Sequence, residues 1–144
     1  MTSAVSRIPA ANSEDALQHF SKRLEFETDC WDVHHAISNE KQDFVLLDVR
    51  SEELYQAGHL PEAISFPHWN MSEKTLATYA DGTLFVVYCA GPHCNGANKA
   101  AVKLAQFGRP VKEMIGGAIG WVDEGFCLVV GEEKLFDKSM EQQV

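Results

Sequence analysis

The chain has 144 residues, of which 45% are hydrophobic and 23% charged, and this composition predicts one globular domain with its own apolar core. The formal net charge of -9 argues against nucleic-acid binding, which depends on clustered lysines and arginines. No apolar run approaches the roughly 20 residues that cross a bilayer, and the N-terminus lacks the apolar segment of a signal peptide. We therefore expect a cytoplasmic protein with no nucleic-acid or membrane partner.

The first dozen residues are polar with one proline, and we interpret them as a leader before the first regular element. Ser13 is predicted to cap a helix in which apolar side chains recur at helical spacing. Those side chains are Ala16, Leu17, Phe20 and Leu24. A second helix is predicted to carry Cys30, Val33, His34 and Ile37 on one face. Both helices are interpreted as covers of the core.

Two continuous apolar runs predict strands that are buried on both faces, since half-exposed strands alternate with polar residues. These runs are FVLLDV (residues 44–49) and LFVVYC (residues 84–89). Shorter strands are predicted at AISFP (residues 63–67) and VKEMIGG (residues 111–117).

Helices are predicted between these strands. The segment SEELYQAG (residues 51–58) combines a serine cap with a glycine stop, and Ser72 is predicted to cap a helix that runs through Tyr79. Apolar residues then recur at helical spacing over residues 97–105, and Gly108 ends that helix. Alternating strands and helices predict an α/β fold with a mostly parallel sheet, because parallel neighbours need crossover connections.

Cys89 ends a predicted buried strand and is followed by a loop and an amphipathic helix (VVYCAGPHCNGANKAA, residues 86–101). The unpaired amides and positive dipole of a helix N-terminus favour a thiolate there. Loop amides of this kind form an anion-binding nest, which favours oxyanion donors. Since the thiolate is the nucleophile of sulfur chemistry, we predict a reactive Cys89. The alternative is a structural cysteine at a strand end.

Cys94 lies in the same loop, close enough to attack a persulfide or sulfenate on Cys89. It is therefore a candidate resolving thiol, the alternative being a small side chain that fills the loop. His93 either supplies charge or a proton, or is a surface histidine. Lys99 either assists anions or is a solvated side chain. A metal site at these residues lacks a second ligand pair with zinc spacing, so we expect no metal.

The other two cysteines, Cys30 and Cys127, have apolar neighbours and are interpreted as buried and inert. Nothing in the sequence indicates secretion, so all four cysteines are expected as reduced thiols.

Four blocks of the sequence resemble the rhodanese family, over about residues 24–130. They are LLDVRSEELYQAGHLPEAISFP, VVYC, the helix from Ala97 to Leu104, and VKEMIGGAIGWVDEGF. The resemblance implies a three-layer rhodanese-like fold, in which helices cover both faces of a central, mostly parallel five-stranded sheet. Residues 1–23 are then a leader and covering helix, and residues 131–144 a C-terminal tail or closing helix.

The resemblance also implies a function. Cys89 matches the family's nucleophile after VVYC, and it is expected to take sulfane sulfur from thiosulfate or a persulfide. The resulting Cys89 persulfide would pass its sulfur to a thiol acceptor, which is a small molecule or a protein, without any bound cofactor. The loop residues expected to bind the donor are Ala90, Gly91, Pro92, His93, Cys94, Asn95 and Gly96.

The loop departs from the family pattern because it holds neither Arg nor Lys and is longer than the common version. Both differences weaken thiosulfate as the natural donor. The related cell-cycle protein phosphatases hold an Arg where this chain has Asn95, so phosphatase activity is not expected. Two alternatives stay open: a non-catalytic binding or regulatory module, and a redox-responsive pair of Cys89 and Cys94.

Several residues of the family blocks are interpreted as structural. Asp48 is predicted to pair with Arg50 at a buried strand end, and His59 is predicted to be held by hydrogen bonds. Trp121 is assigned to the core. Two aromatic residues are candidates to border the site, namely Phe66 and Trp69.

Overall fold

Five strands form one sheet in the computed structural model, which describes residues 1–132. The strands are β1 (Glu27–Thr28), β2 (Val45–Asp48), β3 (Ile64–Ser65), β4 (Phe85–Tyr88) and β5 (Val111–Met114). Their order across the sheet is β1-β5-β4-β2-β3, and every neighbouring pair is parallel. The predicted α/β class and five-stranded parallel sheet are therefore confirmed.

The helices connect these strands. They are α1 (Ser13–Phe26), α2 (Cys30–Ser38), α3 (Glu52–Ala57), α4 (Glu73–Leu76), α5 (Gly96–Gln106) and α6 (Gly117–Asp123). The predicted serine cap and glycine stop of α3 are confirmed, since Ser51 and Gly58 flank it. The predicted cap of α1 is wrong by one residue, because Asn12 is extended and its side chain accepts from the amide of Asp15. Helix α4 ends three residues before Tyr79, where 3-10 turns replace helical hydrogen bonds.

Two apolar clusters cover the sheet, one on each face, because successive strand side chains point to opposite faces. On one face Leu47 and Val87 pack with Leu104 of α5. On the other face Leu46 and Val86 lie in a separate cluster. The helical residues of that second cluster are Cys30 and Val33 of α2, Tyr55 of α3, and Ala118 and Trp121 of α6. This layering gives the helix-sheet-helix architecture and holds the carboxyl ends of β2 and β4 side by side.

Helix α1 differs from the covering helix that its apolar spacing predicts. It has no buried residue, and Leu17, Phe20 and Leu24 are all more than half exposed. The helix meets the sheet at its C-terminal end, where Lys112 Nζ of β5 donates to the carbonyl of Leu24. It also runs to Phe26, across the boundary expected between residues 23 and 24. Apolar residues at helical spacing predict a helix with one apolar face, but they do not predict whether another element covers that face.

The predicted C-terminal tail or closing helix, residues 131–144, lies outside the described residues from position 133 onwards. Before that position, His59 and Val129 form a short antiparallel bridge, the amide of Gly131 donates to the carbonyl of Gln56, and Gln56 Nε2 donates to Glu132 Oε1. Within residues 1–132, none of the helices has both the length and the apolar content needed to cross a membrane.

Candidate active site

Cys89 follows β4 directly, and its sulfur lies against the first turn of α5. A Cβ atom placed on Gly96, the first residue of α5, would be only 2.9 Å from Cys89 Sγ. The helix has 11 residues, and the side chain of Asn95 at its N-cap makes no hydrogen bond to it in the described part of the chain. The positive end of the α5 dipole therefore faces the sulfur, an arrangement that favours the thiolate form.

Cys94 is joined to Cys89 by a disulfide, with 6.4 Å between the two Cα atoms. The amide of Cys94 donates to the carbonyl of Gly91 at 3.0 Å, and this turn folds the loop back over Cys89. The expectation of four reduced thiols is thus wrong for this pair. Among residues 1–132 no amide donates to Cys89 Sγ in the disulfide form, so the predicted amide nest stays a prediction for the reduced and persulfide forms.

Helix α6 donates two backbone hydrogen bonds to the start of the loop. The amide of Ala118 donates to the carbonyl of Cys89 at 3.0 Å, and that of Ile119 donates to the carbonyl of Ala90 at 2.9 Å. This approach requires Gly117, whose φ is +63° and whose Cβ, if present, would lie 2.5 Å from the carbonyl oxygen of Cys89. The GG block near the C-terminus therefore positions the backbone of the reactive loop.

Two pockets flank the Cys89–Cys94 pair. The first, which we call the acidic pocket, has a volume of about 360 Å³ and includes Arg23, Glu27 and Glu113 in its lining. Arg23 Nη2 lies 3.3 Å from Glu27 Oε2, and Glu27 is the register partner of Glu113 across β1 and β5. Burial, together with the negative charge of Glu27, raises the pKa of Glu113 above its ordinary value. Among residues 1–132, Arg23 is the only basic side chain in this lining, and it is paired with the carboxylate of Glu27.

The second, which we call the aromatic pocket, has a volume of about 290 Å³ on the opposite side of the pair. Trp69, which is 57% exposed, lines it together with Leu54 and His68. Burial and the positive charges of Lys103 and Lys99 lower the pKa of His68. This side of the loop is therefore apolar and neutral to positive, in contrast to the acidic pocket.

The predicted donor-binding residues are divided between the two pockets. Gly91, Pro92 and Cys94 line the acidic pocket, whereas the aromatic pocket is lined by Ala90, Cys94, Asn95 and Gly96. His93 is exposed at the tip of the loop and lines neither pocket. Lys99 is also exposed and lines neither of them.

Phe66 and Trp69 have different positions relative to the site. Phe66 is fully buried in the core, whereas Trp69 borders Cys89 in the aromatic pocket.

Trp121 is also buried and donates its indole N–H to the carbonyl of Cys127 at 3.0 Å. His59 is fully buried, stacks on Tyr55 and makes a 2.8 Å hydrogen bond to its carbonyl, so its structural interpretation agrees with the fold.

The two remaining cysteines differ from each other. Cys30 is buried, and burial and nearby carboxylates raise the pKa of its thiol to about 11, so it is inert at neutral pH. Cys127 is exposed, and its predicted burial is wrong. Its apolar neighbours lie after the end of α6, where the chain returns along the surface. Cys127 is therefore a matched control position for cysteine substitutions in the loop.

Three lining residues of the acidic pocket were missed by motif-based prediction, namely Arg23, Glu27 and Glu113. They come from α1, β1 and β5, far in sequence from the reactive loop. Only the pairing of β1 with β5 brings them to the pocket, and no local spacing signals that pairing.

Gly96→Ala is expected to leave the protein folded and to lower the rate of sulfur transfer by about tenfold, since a small displacement of a reacting atom slows its reaction. The added methyl would meet Cys89 Sγ, which is the movable end of a side chain, so the sulfur shifts and the backbone does not. Gly82→Ala is the matched control, because no atom lies within 4 Å of its Cβ position. Thermal melting and steady-state rates of both variants test this, and equal rates would contradict it.

The fold and the site together define an α/β thiol protein with a cysteine between a strand end and a helix N-terminus. The family model of the rhodanese-like domain matches residues 32–124, and the chain belongs to this family. A crystal structure of the BH2092 protein from Bacillus halodurans is similar over 83% of this chain and 87% of that one, with 39% identity and a TM-score of 0.80.

Two further relatives differ in length from this chain. A thiosulfate sulfurtransferase from Pseudomonas aeruginosa shares the fold, with a TM-score of 0.67 and 23% identity over 85% of this chain and 24% of that chain. The HTH-type transcriptional regulator Rv0324 of Mycobacterium tuberculosis is 36% identical over 92 residues, which are 60% of this chain. The match spans only 40% of that regulator's length.

Proposed function

We propose that the protein is a sulfurtransferase in which Cys89 carries sulfane sulfur. The Cys89 thiolate attacks the transferable sulfur of the donor and a new S–S bond forms. The S–S bond of thiosulfate or of a persulfide breaks, and sulfite or a thiolate leaves; with mercaptopyruvate the C–S bond breaks, and the enolate of pyruvate leaves. An acceptor thiolate then attacks the outer sulfur of the persulfide and takes it, and Cys89 is released as a thiolate. A thiol reductant must first open the disulfide with Cys94.

The observation that carries this proposal is the position of the Cys89 sulfur. It lies at the end of a buried strand, against the N-terminal turn of α5, and it lines pockets on both sides of the loop. The helix N-terminus stabilises a thiolate there, and a donor has space to reach it. The rhodanese-like family supports the same chemistry.

The test uses protein that is reduced with a dithiol, freed from it and kept anaerobic. The Cys94→Ser variant is used because it keeps a single thiol in the loop, and separate incubations with thiosulfate, glutathione persulfide and mercaptopyruvate are expected to add one sulfur to its Cys89, as seen by intact mass and peptide mapping. Adding Cys89→Ser to this variant should abolish the uptake, whereas adding Cys127→Ser should leave it unchanged, because Cys127 is exposed and lines neither pocket. No added sulfur with any of the three donors would overturn the proposal.

The acidic pocket indicates which donors are disfavoured. Glu27 and Glu113 are paired in register, and Arg23, the one basic residue that the described part of the chain places in the lining, already contacts Glu27. A doubly charged anion is therefore repelled there. Donors of low negative charge, such as persulfides of small thiols, fit this site better than thiosulfate.

Glu113→Gln is accordingly expected to raise kcat/KM for thiosulfate by about threefold at low salt, since one negative charge is removed from the pocket lining. Because the pKa of Glu113 is raised in the folded protein, its charged form destabilises the fold at neutral pH. The variant should therefore also melt higher at neutral pH, and this gain should vanish as the pH falls below the ordinary value of 4.5. Glu25→Gln on exposed α1 is the control, and an equal gain there would contradict the assignment.

A regulatory module is the second candidate, favoured by the 36% identity to a transcriptional regulator. In this case the fold serves as a sensing or binding domain, and turnover is dispensable. A Cys89→Ser protein that fully supports the cellular role, with no sulfur transfer measurable in the wild type, would favour it over the enzyme.

A further inference from the structure

The loop holds a second sulfur that the proposed transfer reaction does not use. Cys94 Sγ is bonded to Cys89 Sγ, and the Cα separation of 6.4 Å lies within the usual range for a disulfide. Both residues line both pockets, so they are reached by the same small molecules. The loop backbone thus places Cys94 against the inner sulfur of any persulfide formed on Cys89.

We propose that Cys94 discharges the Cys89 persulfide as hydrosulfide, which makes the protein a sulfide-releasing enzyme with an internal resolving thiol. This inference rests on the proposed function, since it begins from the Cys89 persulfide. The Cys94 thiolate attacks Cys89 Sγ, a Cys89–Cys94 bond forms, and the bond from Cys89 to the outer sulfur breaks. The electron pair leaves with the outer sulfur, which departs as HS⁻ and retains its own proton.

The step balances without an oxidant. One thiolate and one S–SH group become one disulfide and one HS⁻, so the outer sulfur is reduced while the two cysteines are oxidised. A dithiol reductant then reopens the disulfide and returns both cysteines to thiols. The cycle therefore consumes the donor and the dithiol, and it produces the remainder of the donor, hydrosulfide and the oxidised dithiol.

The charges around the loop suit this step. Residues 89–96 contain neither Lys nor Arg, and both guanidinium groups that line the pockets are paired with carboxylates, Arg23 with Glu27 and Arg50 with Asp48. Within residues 1–132, neither pocket therefore offers an unpaired guanidinium to hold the outer sulfur as an anion, and a proton on that sulfur gives the neutral S–SH form. That neutral form is the one whose outer sulfur can leave as HS⁻.

The position of Cys94 also distinguishes this reaction from transfer to Cys94 itself. Attack on the outer sulfur would leave a persulfide on Cys94, whereas attack on the inner sulfur leaves the disulfide. The structure contains the second product. The other cysteines do not compete, because the Cys30 thiol is buried beside the carbonyls of Ile115 and Gly117 and Cys127 is a free exposed thiol.

The experiment loads reduced, dithiol-free protein with stoichiometric glutathione persulfide under anaerobic conditions, and follows sulfide, free thiols and intact mass. Wild type is expected to release one extra sulfide per chain without added thiol, to lose two of its four thiols and to carry the Cys89–Cys94 disulfide. Cys94→Ser, desalted at once to remove the glutathione that the donor leaves, should instead keep the added sulfur on Cys89 and release sulfide only after a thiol is added. Cys127→Ser should match wild type.

The outcomes separate the two proposals. If Cys94→Ser and wild type both keep the sulfur on Cys89, internal discharge is overturned while sulfur transfer stands. A persulfide mapped to Cys94 overturns it in the same way. If neither protein takes up sulfur from glutathione persulfide, thiosulfate or mercaptopyruvate, both proposals are overturned. Circular dichroism of Cys94→Ser is recorded alongside wild type, and a matching spectrum assigns a negative result to the chemistry and not to misfolding.

Discussion

Gly117→Ala is expected to lower the free energy of unfolding by about 3 kcal/mol and to abolish sulfur transfer in the fraction that folds. The added Cβ would lie 2.5 Å from the carbonyl oxygen of Cys89 and 2.8 Å from that of Ala90. Both contacts are with backbone, so neither can be relieved by a side-chain rotation. The loop must move away from α6, and it then loses the hydrogen bonds donated by Ala118 and Ile119.

The control for this prediction is Gly125→Ala. Gly125 also has a positive φ, of +86°, but no atom lies within 4 Å of its Cβ position. Its substitution adds only left-handed backbone strain, about 1 kcal/mol, and should leave activity unchanged. Urea unfolding and single-turnover sulfur release are measured on both variants. Equal losses of stability would show that backbone strain, and not the contact with the loop, is the cause.

Local sequence signals were sufficient for the elements that flank Cys89. β2 and β4 are continuous apolar runs because both faces of the sheet are covered, and that burial is visible in the residues themselves. The strand, loop and helix around Cys89 are contiguous in sequence. Their mutual placement therefore follows from local structure, and the position of Cys89 between β4 and α5 could be predicted.

Other features depend on pairing between distant segments. β1 has only two residues, of which Glu27 faces Glu113 of β5, so no apolar pattern indicates it. The charge of the acidic pocket follows from that pairing. Cys127 shows a related limit, because apolar neighbours predict burial only if another element covers them. The disulfide between Cys89 and Cys94 likewise depends on a turn that spacing permits but does not require.

Asp48→Asn is expected to lower the free energy of unfolding by about 4 kcal/mol, because it removes one partner of a buried ion pair. Asp48 is fully buried, and its oxygens accept from the guanidinium of Arg50 at 2.9 and 2.6 Å. They also accept from the backbone amide of Arg50 at 3.1 Å and from the hydroxyl of Tyr88 at 2.7 Å. In the variant, the side-chain NH₂ group would face one of these donors and could not accept its hydrogen bond. The charge of Arg50 would also lose its partner.

The hydrogen-bond network of Asp48, Arg50 and Tyr88 also fixes the chain next to Cys89, because Tyr88 is the last residue of β4 and Cys89 follows it. Arg50 Nη2 also donates to the carbonyl of Gly58 at 2.7 Å, so the network joins the ends of two strands to the end of α3. Burial and the charge of Asp48 raise the pKa of Tyr88 well above its ordinary value, so the phenol stays a donor throughout the neutral range.

Urea unfolding of three variants tests this prediction. Tyr88→Phe removes one hydrogen bond to the carboxylate and leaves the ion pair, so it should cost about 1.5 kcal/mol, less than Asp48→Asn. Glu27→Gln breaks the exposed pair with Arg23 and should change stability by less than about 0.5 kcal/mol. A loss at Asp48 no larger than the loss at Glu27 would mean that the buried pair contributes as little as a surface pair. The end of β4, and with it Cys89, would then be held by strand pairing, apolar packing and the hydrogen bonds from α6, without a net contribution from the buried pair.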